Sequence, residues 1–287
     1  MALFKLVAPA KINLALEVLG KRPDGYHDIK SIVQTLDFVD ELEFSPAQNL
    51  EITSDLTGWE GSKSLIAKAA RLLRERCGCK DGARVCVIKR IPLMSGLGGD
   101  SSDGAAALKG FNRLWNLGLS DPELMEMGAA LGSDVPFFFL GGTALIEGRG
   151  EIVTPLKAFP QTWVVLLLPP VVAENGKTAR LYNALKSGDF TEGDKTEKFV
   201  RALMESWEIP PSLFGNAFER AAAELWPEIE EYRWRFIEAG AYRVRLSGAG
   251  PALFSLHRDK DEAERIYRNL KKDDLNCFLA RTNGHLE

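Results

Sequence analysis

The sequence predicts a mixed α+β fold in two lobes, and three observations support this prediction. The chain has 287 residues, a length that suits two domains of about 150 residues each. Apolar residues follow strand spacing in some segments and helical spacing in others, without the strict β-α-β order of a doubly wound sheet. Two prolines and no clear periodicity between residues 155 and 162 indicate a soft boundary between the lobes.

The first quarter of the chain predicts strands followed by a helix. Residues 4–19 fit a strand, a short turn and a second strand, and residues 32–44 are rich in β-forming side chains. Residues 64–76 repeat apolar side chains at helical spacing, and Gly78 is a residue type that commonly follows a helix. Residues 84–91 alternate between apolar and polar, which predicts another strand.

Capping signals place two helical segments in the middle of the chain. Ser120 and Glu123 form the Ser-x-x-Glu pattern of a capping box, which predicts a helix that continues over residues 124–131. Gly132 is expected to end that helix. Asp134 stands where its carboxylate could cap the next helical turn.

The second half of the chain predicts a buried strand, a hairpin and several helices. Residues 163–168 are continuously apolar, as in a strand buried on both faces. Residues 242–246 and 252–256 flank a glycine-rich turn, which predicts a hairpin. The remaining elements predicted from periodicity are helices at 102–114, 178–185, 197–207, 217–225, 228–239 and 261–272 and a strand at 276–281.

Composition and charge exclude several classes of protein. Hydrophobic residues make up 45% and charged residues 26% of the chain, so it is neither disordered nor fibrous. Its 40 acidic and 36 basic residues give a net charge of -4, and a nucleic-acid partner is not expected because such binders usually carry a basic excess. The four cysteines and three histidines lack zinc-site spacing, so free thiols in the reducing cytoplasm are expected.

Neither a membrane span nor a leader is expected. The longest apolar stretches are too short to cross a bilayer and are interrupted by glycine or proline. Residues 8–10 read Ala-Pro-Ala, like a signal-cleavage triplet. However, the apolar run before them is only a few residues long and contains Lys5, which is not typical of a signal peptide.

The strongest local feature is a glycine-rich segment, IPLMSGLGGDSSDGAAA, which runs from Ile91 to Ala107 between a predicted strand and a predicted helix. Gly96, Gly98 and Gly99 allow positive φ angles and a close approach of the backbone to a ligand. Two serines follow where the helix begins, and the free amides and dipole of a helix N-terminus attract anions. The segment therefore predicts a phosphate-binding loop. The alternative is a glycine-rich turn beside a helix of small residues.

Two familiar phosphate motifs do not fit. A dinucleotide fingerprint requires a third glycine where this chain has Ser101. The Gly-Lys-Thr at residues 176–178 matches the end of a P-loop, but Val171 stands where that motif requires its first glycine. Neither a dinucleotide site nor a P-loop is expected.

Three separated motifs resemble the GHMP kinases. They are APAKINL at residues 8–14, the glycine-rich loop at 92–102 and LSGAGP at 246–251. Their order and spacing span most of the chain, so the resemblance is specific. It implies an N-terminal ATP-binding lobe similar to ribosomal protein S5 domain 2 over residues 1–158. It also implies a C-terminal ferredoxin-like lobe over residues 159–287.

Finer features are similar to the GHMP kinases that act on a cytidylated methylerythritol. They are GYHD at residues 25–28, LGGDSS at 97–102 and GSDVPF at 132–137. The resemblance implies ATP-dependent phosphorylation of the 2-hydroxyl of this small molecule, in the non-mevalonate isoprenoid pathway, with Mg²⁺ accompanying ATP. It also implies a cytoplasmic monomer or weak homodimer. The alternatives are another GHMP kinase, for mevalonate, homoserine or a sugar, and a nucleotide-binding regulator that has lost catalysis.

The resemblance assigns catalysis to Lys11 and Asp134. A carboxylate can accept the proton of the acceptor hydroxyl, and a lysine can orient that hydroxyl and stabilise the transferring charge. Without the resemblance, Lys11 fits a surface lysine whose stem lies on apolar residues, and Asp134 fits a helix cap. Asn13 is expected to contact the substrate, although it also fits a strand edge.

The resemblance assigns ATP binding to the glycine-rich loop. The implied residues are Pro92, Leu93, Met94, Ser95, Gly96, Leu97, Gly98, Gly99, Asp100, Ser101 and Ser102, with Ile66 and Lys89 on the adenine side. The turn at residues 247–251 is expected to approach the phosphates from the second lobe. Asp100 departs from the family, where glycine is common, and its charge would repel a triphosphate unless it points outward or meets magnesium. The sequence shows no dedicated set of carboxylates for a metal.

The resemblance assigns the cytidine moiety to aromatic residues. Tyr26 and His27 can stack on a cytosine ring or form hydrogen bonds with its edge. Thr178 and Tyr182 lie four residues apart in a predicted helix, which places both on one face. Tyr182 fits core packing equally well without the resemblance.

Overall fold

Two β-sheets organise the fold in the computed structural model, which describes residues 3–170, 176–206 and 208–284. The first sheet contains β1 (Phe4–Lys21), β2 (His27–Ser45), β3 (Leu50–Ser54), β4 (Ala83–Ile88), β5 (Thr143–Gly148), β6 (Ile152–Pro155) and β8 (Gly215–Asn216). The second contains β7 (Trp163–Leu167), β9 (Arg245–Leu246), β10 (Leu253–His257) and β11 (Cys277–Arg281). The helices are α1 (Leu65–Cys77), α2 (Gly99–Leu114), α3 (Asp121–Leu131), α4 (Phe137–Leu140), α5 (Lys177–Ala184), α6 (Asp194–Met204), α7 (Glu219–Leu225), α8 (Glu228–Glu238) and α9 (Lys260–Lys272). The predicted α+β class is confirmed.

The long antiparallel pair of β1 and β2 forms the centre of the first sheet. The prediction of two strands and a turn over residues 4–19 is wrong, because β1 is continuous through them. A register shift between Pro9 and Lys11 accommodates the proline, which has no N–H to donate to the ladder. The short strand β8 lies parallel to β1, pairing Ala15 with Gly215, so the second half of the chain adds a strand to the first sheet.

Local sequence signals set the helix ends. The hydroxyl of Ser64 accepts a hydrogen bond from the amide of Ala67 at the start of α1, and Gly78 follows α1 with a φ of 66°, as predicted. The side chain of Glu123 accepts from the backbone N–H of Ser120 at the start of α3, as the capping-box pattern predicts. None of the helices in the described part of the chain is both long and apolar enough to cross a membrane.

Asp134 does not cap a helix, so that interpretation is wrong. The short helix α4 begins after Pro136, and no side chain forms a cap hydrogen bond there. Asp134 instead lies in the turn before α4, within ion-pair distance of Lys11 in β1. The position of the carboxylate therefore depends on tertiary packing of this turn near β1, and not on a local capping pattern.

The second sheet brings the glycine-rich turn at residues 247–251 against the glycine-rich loop at 92–102. β9 and β10 form the predicted antiparallel hairpin around that turn. The amide of Ala252 donates to the carbonyl of Ser95 over 2.9 Å, and the hydroxyl of Ser247 donates to the carbonyl of Gly96 over 3.0 Å. The predicted helix at 197–207 corresponds to α6, which begins three residues earlier, and residue 207 lies outside the described residues. The division into lobes at residue 158 stays a prediction.

Helix α2 begins at Gly99, three residues before the predicted start, and packs against the first sheet through small residues. A Cβ at Gly110 would lie 2.2 Å from Cζ of Phe44, whose side chain is fully buried. Glycine in mid-helix usually costs about 1 kcal/mol relative to alanine. At this position glycine allows the close approach of helix and sheet.

We therefore expect Gly110→Ala to lower the free energy of unfolding by about 1–3 kcal/mol, because the buried ring of Phe44 has to move. Urea unfolding measures this change. Gly20→Ala is the control, because a Cβ there meets no atom within 4 Å. Phe44→Leu in the Gly110→Ala background should recover part of the loss, and an unchanged or raised stability of Gly110→Ala alone would contradict the packing.

Candidate active site

The predicted motifs meet at a cavity of about 650 Å³. It lies where β1, the loop at 92–102, the turn at 247–251 and the first turn of α5 approach one another. The predicted site residues that line it are Lys11, Asn13, Tyr26, His27, Lys89, Pro92, Met94, Ser95, Gly96, Gly98, Gly99, Asp100, Ser101, Asp134, Thr178 and Tyr182. A second cavity of about 560 Å³ lies over the second sheet and contains none of these residues.

Four of the residues assigned to ATP do not line the cavity. Ile66 is fully buried in the hydrophobic core beneath α1, and Leu97 is buried in a second core cluster. Leu93 points partly to solvent. Ser102 is buried, and its hydroxyl has no hydrogen-bond partner among the described residues. Leu97 still acts through its backbone, because its carbonyl accepts the amide N–H of Lys11 over 2.8 Å.

Lys11 and Asn13 are held by a chain of hydrogen bonds inside the first sheet. The Nζ of Lys11 donates to Oδ1 of Asn13 over 2.7 Å, and Nδ2 of Asn13 donates to the hydroxyl of Ser31 over 2.8 Å. Ser31 in turn donates to the carbonyl of Ala15 over 2.7 Å. The Nζ of Lys11 also lies 3.6 Å from Oδ2 of Asp134. The lysine side chain is 6% exposed and the aspartate side chain 48% exposed, so the pair lies at the mouth of the cavity.

Glycines permit the backbone to close around Lys11. Gly98 has a φ of 75°, and a Cβ there would lie 2.9 Å from Cγ of Lys11 and 2.8 Å from Cζ of Phe138. Gly248 has a φ of 52°, and a Cβ there would lie 3.0 Å from Nζ of Lys11. Side chains other than glycine would be strained and crowded at both positions. The two glycine-rich segments therefore enclose the lysine from opposite sides.

The N-terminus of α2 faces the same cavity. Gly99, Asp100 and Ser101 form its first turn, and their amide groups have no intrahelical acceptor. A helix N-terminus with glycine at its cap binds anions through these amides and the helix dipole. The side chain of Asp100 is half exposed, lies 3.9 Å from Nζ of Lys89 and lines the cavity beside these amides.

Lys89 is tied into a buried ion cluster. Its Nζ lies 2.6 Å from Oδ2 of Asp40 and 2.8 Å from Oδ2 of Asp103, and all three side chains are almost fully buried. Asp40 also accepts the backbone N–H groups of Arg90 and Ile91, at the base of the glycine-rich loop. Burial, with repulsion from Asp40, raises the pKa of Asp103 to about 7, against the opposing attraction of Lys89. This cluster fixes the base of the loop.

Aromatic rings form one wall of the cavity. The rings of His27 and Tyr182 are stacked with centroids 4.5 Å apart, and Phe218 meets Tyr182 edge-on at 4.9 Å. Burial, together with the charge of Lys21, lowers the pKa of His27, which keeps its imidazole neutral at pH 7. Burial and the charge of Asp134 raise the pKa of Tyr182 to about 12, so its hydroxyl stays protonated.

Tyr26 stands apart from these stacked rings. It is about half exposed, and the guanidinium of Arg149 lies 4.8 Å from the centre of its ring. Thr178 and Tyr182 both lie on α5 and both line the cavity, as their spacing predicts.

Two family matches cover parts of both halves of the chain. The GHMP kinases N terminal domain matches residues 64–142, and the GHMP kinases C terminal domain matches residues 195–274. A curated relative from Dehalococcoides mccartyi, a 4-diphosphocytidyl-2-C-methyl-D-erythritol kinase, is 51% identical over 98% of this chain and 99% of its own length. One with the same name from Pelotomaculum thermopropionicum is 39% identical over 96% of each chain.

The chain belongs to the 4-diphosphocytidyl-2-C-methyl-D-erythritol kinase family of GHMP kinases. A crystal structure of a 4-(cytidine 5'-diphospho)-2C-methyl-D-erythritol kinase superposes with a TM-score of 0.82 at 32% identity, covering 98% of this chain and all of the other. The mevalonate kinase of L. major in complex with R-mevalonate superposes with a TM-score of 0.72 at 17% identity, covering 98% and 96%. This second likeness concerns the fold alone. The predicted resemblance to GHMP kinases is confirmed.

Sequence reasoning missed several cavity residues of this kinase-family chain, among them three with polar side chains. Arg149 lies in a turn with no motif, and Ser31 accepts the hydrogen bond that holds Asn13 in place. Lys177 was part of the rejected P-loop match, yet it lines the cavity beside Thr178. Its position next to a predicted substrate residue, at the start of a helix, is the signal that could have identified it.

The buried cluster around Lys89 predicts a pH dependence of stability. Between pH 4 and 7 the folded chain keeps a proton on Asp103 that the unfolded carboxyl, with its ordinary pKa of 3.8, releases. The contribution of Asp103 to stability is therefore lost as pH rises through this window. We expect the stability of Asp103→Asn relative to the unsubstituted chain to increase from pH 4 to 7 and then to level off.

Urea unfolding at several pH values measures that difference. Asp100→Asn is the control, because it removes a half-exposed carboxylate from the same helix. A difference between Asp103→Asn and the unsubstituted chain that stays constant, or decreases, over pH 4 to 7 would show that Asp103 is already ionised in the folded protein.

Proposed function

We propose that this chain transfers the γ-phosphoryl group of ATP to the 2-hydroxyl of 4-diphosphocytidyl-2-C-methyl-D-erythritol, giving the 2-phosphate and ADP. The reaction would belong to the non-mevalonate isoprenoid pathway. The observation that carries the proposal is the convergence of Lys11, Asp134 and the N-terminus of α2 on one cavity. The 51% identity to a curated kinase of this name over nearly the whole chain supports the substrate.

Lys11 and Asp134 suit the two needs of phosphoryl transfer, which are to stabilise negative charge and to accept the hydroxyl proton. In the reaction the hydroxyl oxygen forms a bond to the γ-phosphorus, and the bond to the bridging β–γ oxygen breaks, leaving its electron pair on ADP. The ammonium of Lys11 stabilises the negative charge on the transferring group. The carboxylate of Asp134, 3.6 Å from that ammonium, accepts the hydroxyl proton as the new bond forms, and its exposure lets the proton pass to solvent.

The glycine-rich loop and α2 suit the nucleotide. The amides at the start of α2 are placed to donate to phosphate oxygens, and the crowding around Gly96 and Gly98 leaves room there only for glycine. The lysine of the Lys89 cluster is already paired with two carboxylates. It is thus suited to fixing the loop, and its contact with the nucleotide stays a prediction.

Magnesium fits the oxygen donors of the cavity. No group of three or more histidines, cysteines or carboxylates able to hold a metal occurs among the described residues. Asp100 and Asp134 each line the cavity, and Mg²⁺ in kinases is usually held by one or two carboxylates with phosphate oxygens and water. Bound there, Mg²⁺ would neutralise charge on the β- and γ-phosphates.

The aromatic wall suits the cytosine of the substrate. Tyr182 is supported by the edge of Phe218, and the neutral imidazole of His27 has one donor and one acceptor for a base edge. Tyr26, at the mouth of the cavity, can close on the base once the guanidinium of Arg149 moves aside. A small-molecule substrate, a cytoplasmic location and a monomer or weak homodimer complete the proposal.

A coupled ADP-release assay tests the substrate. We expect ADP release with 4-diphosphocytidyl-2-C-methyl-D-erythritol and none above background with mevalonate or homoserine, which carry no base for the aromatic wall. ADP release with mevalonate alone would overturn the proposal in favour of another GHMP kinase activity. No ADP release with any acceptor, together with binding of ATP, would favour a nucleotide-binding regulator.

We expect Lys11→Met and Asp134→Asn each to lower kcat roughly 100-fold or more while the chain remains folded, because each removes a charge that acts on the reacting atoms. Steady-state ADP release and circular dichroism measure the two effects. Lys5→Met is the control for the lysine, since Lys5 lies on the same strand with its side chain 55% exposed. A near-normal kcat for either variant would remove that residue from the mechanism.

We expect Tyr182→Leu to raise the KM for the cytidylated substrate by roughly 5- to 150-fold, because stacking of a base on an aromatic ring contributes about 1–3 kcal/mol. Leucine keeps apolar packing against Phe218. The KM for ATP should change little. Tyr242→Leu serves as the control, since Tyr242 is half exposed and lines only the second cavity. Equal changes in both KM values would indicate a general loss of structure instead of a lost base contact.

A further inference from the structure

Lys177 joins the two glycine-rich segments of the cavity. It is the first residue of α5, follows Gly176 with its φ of 80°, and is only 8% exposed. Its Nζ donates to the carbonyl of Met94 over 2.6 Å and to the carbonyl of Gly250. Met94 belongs to the loop at 92–102 and Gly250 to the turn at 247–251. The lysine therefore connects the two segments at the cavity that they enclose.

The contacts of Lys177 leave its charge uncompensated. An ammonium group has three N–H donors, and two of them meet neutral carbonyl oxygens. Among residues 3–170, 176–206 and 208–284, no carboxylate lies within ion-pair distance of its Nζ, and the charged group that acts on it most is the like-charged Lys11. Burial and this repulsion lower the pKa of Lys177 to about 8. Buried charges are normally paired, because leaving one unpaired is costly.

A bound polyphosphate would supply the missing negative charge. Lys177 lines the same cavity as Lys11, Gly98 and Ser101, where the amides of α2 and the lysines favour an anion. Lys89, by contrast, has two buried aspartate side chains within 2.8 Å of its Nζ. Among the residues that the structure describes, the third N–H of Lys177 has no acceptor and its charge has no partner, which is the state expected of a residue that awaits an anionic ligand.

We propose that Lys177 is a phosphate-binding residue of the cavity: its third N–H donates to a phosphate oxygen of the bound ligand while the other two hold Met94 and Gly250. The lysine couples phosphate binding to the joining of the two glycine-rich segments. The inference rests on the proposed function only for the identity of the ligands. Two sources supply the same chemistry, the triphosphate of ATP and the diphosphate of the cytidylated substrate.

Calorimetric titration of the full chain tests this role without turnover. The probes are a nonhydrolysable ATP analogue, adenosine, cytidine diphosphate and cytidine, each titrated with magnesium present. The variants are Lys177→Gln, Lys177→Met and Lys177→Arg. Glutamine keeps two N–H donors for the carbonyls of Met94 and Gly250 but has no charge, whereas arginine keeps the charge. Lys186→Met is the control, because the side chain of Lys186 is 65% exposed and lies outside the cavity.

We expect Lys177→Gln to raise the dissociation constant of at least one of the two polyphosphates about tenfold or more, because a hydrogen bond from a charged group is lost. The dissociation constants of both nucleosides should change by less than about twofold. Lys177→Arg should recover most of that loss, and Lys177→Met should lose at least as much as Lys177→Gln. The polyphosphate that weakens identifies the source of the phosphate. Lys186→Met should bind all four probes like the unsubstituted chain.

Two results would overturn the inference. Lys177→Gln could bind both polyphosphates as tightly as the unsubstituted chain, which would leave the lysine only a joining role. Alternatively, binding of the nucleosides could weaken as much as binding of the nucleotides, which would show a general disturbance of the cavity. Because these titrations need no phosphoryl transfer, they are independent of the ADP-release assay, so failure of the proposed substrate and failure of the Lys177 inference are distinguished.

Discussion

The cavity depends on the close approach of two glycine-rich segments to one buried lysine. Lys11 lies in the long strand β1, and side chains other than glycine at Gly98 or Gly248 would collide with it. Close packing tolerates little change in volume. The position of the ammonium is therefore fixed from three sides, by the sheet, by the loop of the first half and by the turn of the second. The catalytic role proposed for Lys11 depends on this rigidity, because a positioned charge is most effective when it does not have to reorganise during the reaction.

The three buried lysines of this region differ in the oxygen groups that surround their positive charge. Lys89 has two buried carboxylates, Lys11 has one half-exposed carboxylate at 3.6 Å and an amide oxygen, and Lys177 has carbonyl oxygens. The charge of Lys89 is thus neutralised at the base of the loop, while the charges of Lys11 and Lys177 leave the cavity positive. A protein with a net charge of -4 can bind a polyanion in this way because the local distribution of charge, and not the total, determines the field in a cleft.

The sequence predicted those features that depend on neighbouring residues. The glycine that follows α1, the capping box of α3 and the hairpin of β9 and β10 follow from short-range patterns. It did not predict that β1 is continuous, since a register shift accommodates Pro9 only in the presence of β2. The burial of Ile66 and the pairing of Lys89 with Asp40, 49 positions away, likewise depend on tertiary packing that no local pattern encodes.

Asn216 shows why both halves of the chain are required for one site. It lies in β8, which pairs with β1. Its Nδ2 donates to the carbonyls of Leu246 and Gly248 over 2.9 and 2.8 Å, so the second glycine-rich turn is bonded to a strand of the first sheet. Buried amide groups with both donors used have a single orientation. The turn that encloses Lys11 is therefore held by the sheet that carries Lys11, and any relative movement of the two halves must break these bonds or move Lys11 with them.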